Sequence, residues 1–224
     1  MRLHLLYCIG FALAATCSTA HATTFTFDQD PFAGTNVRNT PGRQIVGGED
    51  FISFSILQDV FSLDSKAFGT GSSVNFVNAT APNIPIADVN IVVLESFDND
   101  NNPLTPFGAG NVADLIASRI PTPGPGFFVY FNQGLDLPRL VYSTDLSDNT
   151  ADLKILARML NLNGQSGRNA LPTFSAANFV VTTGAPEPST ISMFGAFGLI
   201  GAGYCMLGRK RATHGRDSLS RRLP

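Results

Sequence analysis

Phe127-Phe128-Val129-Tyr130-Phe131 is an unbroken run of aromatic and β-branched residues entered from the loop Pro121-Thr122-Pro123-Gly124-Pro125-Gly126. Such side chains suit a packed, pleated surface, and a Pro/Gly loop breaks any element before it, so the run reads as a core strand. Working outward, similar runs recur at 25–27, 51–57, 60–63, 74–77, 89–97, 140–142 and 179–181, separated by Gly, Pro, Asn and Asp at intervals of roughly ten residues. Phe25-Thr26-Phe27 alternates as a half-buried strand does. The chain uses 18 Phe and no Trp, so phenylalanine supplies most of the aromatic bulk of any core.

Two stretches carry helical spacing instead. Over 151–160, Leu153, Leu156, Ala157 and Leu160 form an apolar stripe, with Asp148-Asn149-Thr150 as a capping sequence and Asn163-Gly164 as a stop. Asp152 near its start and Arg158 near its end suit the helix dipole. Over 111–120, Val112, Leu115, Ile116 and Ile120 face one way. The pattern predicts a mainly β domain, an antiparallel β-sandwich or jelly-roll-like fold with one or two short helices. No internal repeat speaks for a solenoid or propeller.

The two ends read as signals. Met1-Arg2-Leu3-His4 precedes the apolar run 5–15, which has the length of a signal-peptide core and is too short to span a bilayer. Ala20-His21-Ala22 then gives a small-x-small pattern, so cleavage is expected after Ala22, leaving Thr23 as the new N-terminus. Near the other end stand Pro186-Glu187-Pro188, an uncharged apolar stretch over 191–207, and Arg209-Lys210-Arg211. That stretch is at the short end for a transmembrane helix, and the basic cluster after it predicts a cytoplasmic tail. The expected organisation is a signal peptide over 1–22, a β-rich domain over 23–182, a linker with the Pro-Glu-Pro motif over 183–190, a transmembrane helix over 191–207, and a basic tail over 208–224.

All three cysteines (Cys8, Cys17, Cys205) and all three histidines (His4, His21, His214) fall in the end segments. The expected mature part therefore forms no disulfide. It also lacks the residues for Ser-His-Asp or Cys-His catalysis, for the usual zinc and copper sites, and for thiolate clusters or His-ligated haem. Carboxylates, hydroxyls, Lys66, Lys154 and oxygen-bound cations remain. Residues 23–185 carry 15 Asp/Glu against 8 Lys/Arg, a net charge of −7 that the whole-chain value of −2 conceals. Such a domain gives no footprint for nucleic acid.

Candidate sites are sparse, and no catalytic residue is assigned. Asp98, Asp100 and Asn102 match the first three ligand positions of a D-x-D-x-N calcium loop. Pro103 and Ala109 stand where an EF-hand loop needs Gly and a bidentate Glu, so an irregular calcium loop and a plain turn both remain open. Calcium is thus the one cofactor in view. Asp145, Asp148 and Asp152 form a second acidic group that calcium could also use, although helix capping already explains Asp148 and Asp152. Glu95 and Glu49-Asp50 are carboxylates a glycosidase could use, although no Trp is present to stack on a sugar. Asn78-Ala79-Thr80 fits the glycosylation sequon.

Pro186, Glu187 and Pro188, the apolar stretch 191–207 and the cluster Arg209, Lys210 and Arg211 together resemble the PEP-CTERM sorting signal of exported bacterial proteins. The chain departs from that pattern in a further thirteen residues, 212–224, beyond the basic cluster. The resemblance implies an exosortase-like processing enzyme as partner, inner-membrane anchoring before processing, and surface or extracellular release afterwards. It also implies an exopolysaccharide, biofilm-forming setting. The expected function is an exported, cell-surface or matrix-associated structural or binding protein. Alternatives are a secreted carboxylate-only hydrolase acting on polysaccharide and a calcium-dependent adhesive module.

Overall fold

The computed structural model of the protein describes residues 21–184, apart from Ala87, 99–101, 103 and 104. The signal-peptide core, the Pro-Glu-Pro motif, the apolar stretch 191–207 and the basic tail lie outside the described residues. Among the described residues no helix is long and apolar enough to cross a membrane.

The domain is mainly sheet. Its strands are β1 (Thr24–Phe27), β2 (Ile45–Val46), β3 (Asp50–Ile52), β4 (Val60–Asp64), β5 (Phe76–Ala79), β6 (Ile91–Leu94), β7 (Gly126–Asn132), β8 (Leu137–Ser143), β9 (Leu153–Met159) and β10 (Phe179–Thr182). Short helices α1 (Ser65–Phe68), α2 (Ala109–Ala117) and α3 (Gly164–Ala170) interrupt them. A large sheet runs β2-β9-β8-β7-β6-β5, with β3 also pairing with β9, and a small sheet runs β1-β4-β10.

The pairing corrects the antiparallel expectation. β5, β6 and β7 are parallel, β7-β8-β9 are antiparallel, and β2 and β3 join β9 in parallel. Both pairs of the small sheet are parallel. Parallel neighbours need a crossover rather than a hairpin, and α2 lies in the one between β6 and β7. The β7–β8 hairpin turns through residues 133–136, where Asn132 Oδ1 accepts from Leu135 N at 2.8 Å and Asp136 takes φ 55°.

The run that opens the sequence reading is buried on both sides. Phe127, Val129 and Phe131 point towards the small sheet and pack with Phe54, Phe61, Leu63, Phe174 and Phe179. Phe54 and Phe61 stack with centroids 4.2 Å apart. Phe128 and Tyr130 point the other way, into a second core closed by Val112, Ala113 and Ile116 of α2. Hence β6 and β7 are continuous apolar runs, as strands covered on both faces must be.

The helix expected over 111–120 is present as α2, shifted towards its N-terminus. The helix expected over 151–160 is absent, and its place is taken by β9. The physical reason is a β-bulge. Leu140 pairs with Ala157 while Val141 pairs with Ile155, so Leu156 is the extra residue. Leu153 and Ile155 therefore enter one core, and Leu156, Ala157 and Met159 the other. That phase jump turns period two into apparent helical spacing. The supposed cap is a turn, in which Asp148 Oδ1 accepts from Thr150 N at 2.7 Å.

Gly126 starts β7 where a Cβ would stand 2.4 Å from Leu146 Cδ1 and 2.6 Å from Asn90 O. Because backbone closes one side, Gly126→Ala is expected to cost roughly 2 kcal/mol of stability in urea unfolding. A cost below a few tenths would show that the β6–β7 entrance is not packed this way.

Candidate functional site

The edge strand opposite β9 is broken. β2 and β3 pair with successive parts of β9, and Gly47-Gly48-Glu49 lies between them, with Gly48 at φ 86°. Lys154 Nζ donates to Gly47 O at 2.5 Å and pins the break. The loop after β1 lies across this gap, leaving a cleft of about 330 Å³. Asp28, Gln29, Asp30 and Asp50 form its polar rim with Lys154, and Phe27 and Phe68 supply apolar surface. Asp30 is tied back by Arg38 at 2.9 Å and by Phe32 N at 3.0 Å. Gln29 Nε2 donates to Asp28 Oδ1 at 2.8 Å. The cleft is large enough for one small polar ligand and offers it mostly hydrogen-bond acceptors.

Glu49 turns away from the cleft to the face of the sheet that α2 covers. Its Oε1 accepts from Arg139 of β8 and from Nε of Arg158 of β9, two residues that stand opposite each other in register. The Glu49 side chain is 6% exposed. Burial opposes its charge, but its own backbone N–H, Arg158 and Arg139 overcome this and hold the carboxyl at about 2. A group so acidic stays ionised and cannot serve as a general acid near neutral pH. Phe51 lies over Arg158 with 5.2 Å from the guanidinium carbon to the ring centroid. Glu95, the other glutamate considered for hydrolysis, follows β6 and is not brought to Glu49, whose partners lie on β8 and β9.

The remaining candidates separate as follows. Asp100 lies outside the described residues, Asp98 is half-buried, and exposed Asn102 donates to Thr105 Oγ1 at 3.0 Å. Among the described residues no three His, Cys, Asp or Glu side chains come together to hold a metal. Asp145 Oδ1 accepts from Gly124 N at 3.1 Å and Ser147 N at 2.8 Å. Asp152 Oδ1 accepts from Gln44 N at 2.8 Å, joining the loop before β2 to the start of β9. The N–H and hydroxyl of Thr150 hold the Asp148 carboxyl below its ordinary value. Asn78 of the sequon is a tether, its amide donating to Leu171 O at 2.9 Å and Phe174 O at 3.1 Å. Ala22 and Thr23 of the expected cleavage site are exposed ahead of β1.

Two tyrosines lie close to these elements. Burial pushes Tyr142 up to about 12 while its hydroxyl donates to Phe68 O at 2.8 Å. Burial likewise raises Tyr130, whose hydroxyl accepts from Asn132 at 2.9 Å. Both are structural anchors.

Sequence reasoning missed the Arg139–Glu49–Arg158 group and the cleft. The first needs β9 to be a strand, since only then do Arg139 and Arg158 become cross-strand neighbours. The Gly47-Gly48 pair was the one local sign of a broken edge. Comparison with protein-family models, with curated proteins and with solved structures found no match.

Glu49 supplies a test of this charge group. Its ordinary value of 4.5 is lowered to about 2, so the stability it contributes is present above pH 4.5 and lost as pH falls through 2. The contribution is on the order of 3 kcal/mol. In urea unfolding, Glu49→Gln should be less stable by roughly 3 kcal/mol at pH 7, because both arginines lose their counter-charge. The variant should also lose most of the fall in stability between pH 4.5 and 2; an unchanged acid slope would assign that fall to other groups.

Proposed function

We propose that this chain is an exported, cell-surface or matrix-associated binding protein, sorted through its PEP-CTERM-like C-terminus, in which the β-rich domain binds rather than catalyses. One observation carries the second half of this reading. Six carboxylates of a domain region without Cys and with His21 alone at its edge are tied into the architecture: Glu49 to two arginines, Asp59 and Asp152 to backbone amides, Asp64 to the start of α1, and Asp145 and Asp148 to turns. Hydrolysis would need a pair of carboxyls with divergent proton affinities facing one substrate. A cleft rimmed by Asp28, Gln29, Asp50 and Lys154 instead suits recognition of a polar, hydroxyl-bearing ligand.

Delivery rests on the sequence signals. The apolar stretch 191–207 holds the chain in the inner membrane with its tail inside, an exosortase-like enzyme acts near Pro186-Glu187-Pro188, and the domain then joins the surface or an exopolysaccharide matrix.

The test is expression in a Gram-negative host with and without such an enzyme, followed by fractionation and intact mass. A chain shortened at its C-terminus is expected at the surface in the competent host, with chain running from Thr23 to Pro224 trapped in the inner membrane when Pro186, Glu187 and Pro188 are changed to Ala. Chain that keeps its C-terminal segment in the membrane of both hosts would make the segment a plain anchor. In parallel, the purified protein should retain a neutral, hydroxyl-rich exopolysaccharide without shortening it, and falling polymer mass would support the hydrolase reading instead.

A further inference from the structure

Asp59 is 5% exposed, and it is a carboxylate without a side-chain cation: none of the ion pairs among the described residues includes it. Its two oxygens are taken by backbone. Oδ2 accepts from Ser55 N at 2.7 Å, and Oδ1 accepts from Thr23 N at 2.8 Å. The turn that presents it is fixed by Asp59 N donating to Ser55 O at 2.8 Å and by buried Asn178, which donates to Ile56 O at 2.6 Å and Asp59 O at 3.1 Å. Thr23 is fixed in turn, since Val60 N donates to Thr23 O at 3.0 Å and β1 continues in parallel register from Thr24 opposite Val60. The nitrogen that meets this buried carboxylate is therefore the one that cleavage after Ala22 would set free.

We propose that removal of the signal peptide locks the domain by converting the Thr23 amide into an α-ammonium that pairs with Asp59. The step is a hydrolysis by a signal peptidase. Water adds across the Ala22–Thr23 bond, Ala22 leaves with the new carboxylate, and the Thr23 amine takes up a proton. Before cleavage Asp59 receives a neutral N–H. Afterwards the same nitrogen carries a positive charge, so a Coulomb attraction between two opposite unit charges is added to a hydrogen bond that the carboxylate alone assisted before. A cut two residues earlier would leave His21-Ala22 attached and put the ammonium beyond Asp59's reach. The cut therefore sets how firmly β1, one of the two strands flanking β4, is held in the small sheet, not whether it pairs there. This inference rests on the export reading above, which supplies the cleavage.

The chemistry of an N-terminal threonine allows a direct test. Brief periodate treatment, with free methionine as scavenger, breaks only the Cα–Cβ bond of a terminal 1,2-amino alcohol and replaces Thr23 by an uncharged glyoxylyl group. The protein recovered after export is examined by intact mass, oxidised, and unfolded in urea beside the untreated protein. The expected result is a chain beginning at Thr23 whose unfolding equilibrium constant rises about tenfold on oxidation. In Asp59→Asn the same oxidation should change it less than twofold, and because the comparison on the unaltered chain stands alone, poor folding of this variant does not remove the test. A chain that begins elsewhere overturns the cleavage reading on which the proposal depends. A chain that begins at Thr23 and is equally stable after oxidation leaves export intact and overturns the ion pair.

Discussion

The large sheet is covered on both faces, and the rest of the domain is arranged around that fact. With β6 and β7 buried along their length, their backbone N–H and C=O groups have no access to water and must be satisfied by neighbouring strands. This demands a partner on each side, which β5 and β8 provide. It also demands a separate apolar layer for each face. Helix α2 covers one. The small sheet covers the other, and it is assembled from β1 and β10 at opposite ends of the described domain, which flank β4. Closure of that layer therefore joins residues far apart in sequence, and the phenylalanine contacts of Phe54, Phe61, Phe174 and Phe179 hold it.

Such an architecture leaves little room for uncompensated charge, and the acidic excess of the chain is handled accordingly. Several buried or half-buried carboxylates are matched either to backbone amides, as at Asp59 and Asp64, or to guanidinium groups, as at Glu49. Pairing with backbone makes each of these a positional lock, since an amide has one location in a folded ladder. The same logic leads from the fold to the proposed function. Turns and edges secured by their own carboxylates have less conformational freedom left to lose on contact, and this is the ground on which binding is proposed. At the cleft beside the broken β2/β3 edge, Asp28 and Asp50 line a cavity, and neither is recruited to close a turn.

Much of the β content was legible. Runs at 25–27, 60–63, 127–131, 140–142 and 179–181 all fall within strands, because aromatic and β-branched residues bounded by Gly and Pro leave few other readings. Strand direction was not legible, since an apolar run looks the same in parallel and antiparallel pairing. β9 was misread for two physical reasons acting together. The bulge at Leu156 shifts the apolar phase, and an Asp side chain accepting from the amide two residues on serves a turn as well as a helix cap. The two-residue strand β2 carried too little pattern to register. Among candidate site residues, Glu49 was visible as a carboxylate at a strand entrance. Its two arginines were invisible because cross-strand neighbours are 90 and 109 residues away in sequence.

Amide hydrogen exchange on the purified protein tests the double-covered sheet most directly. If β6, β7 and β8 form the centre on which both outer layers depend, their amides exchange slowest and only through global unfolding, with α2 and the small sheet opening earlier. Equal or slower exchange in β1, β4 and β10 than in β7 would contradict this, and would place the organising core in the small sheet.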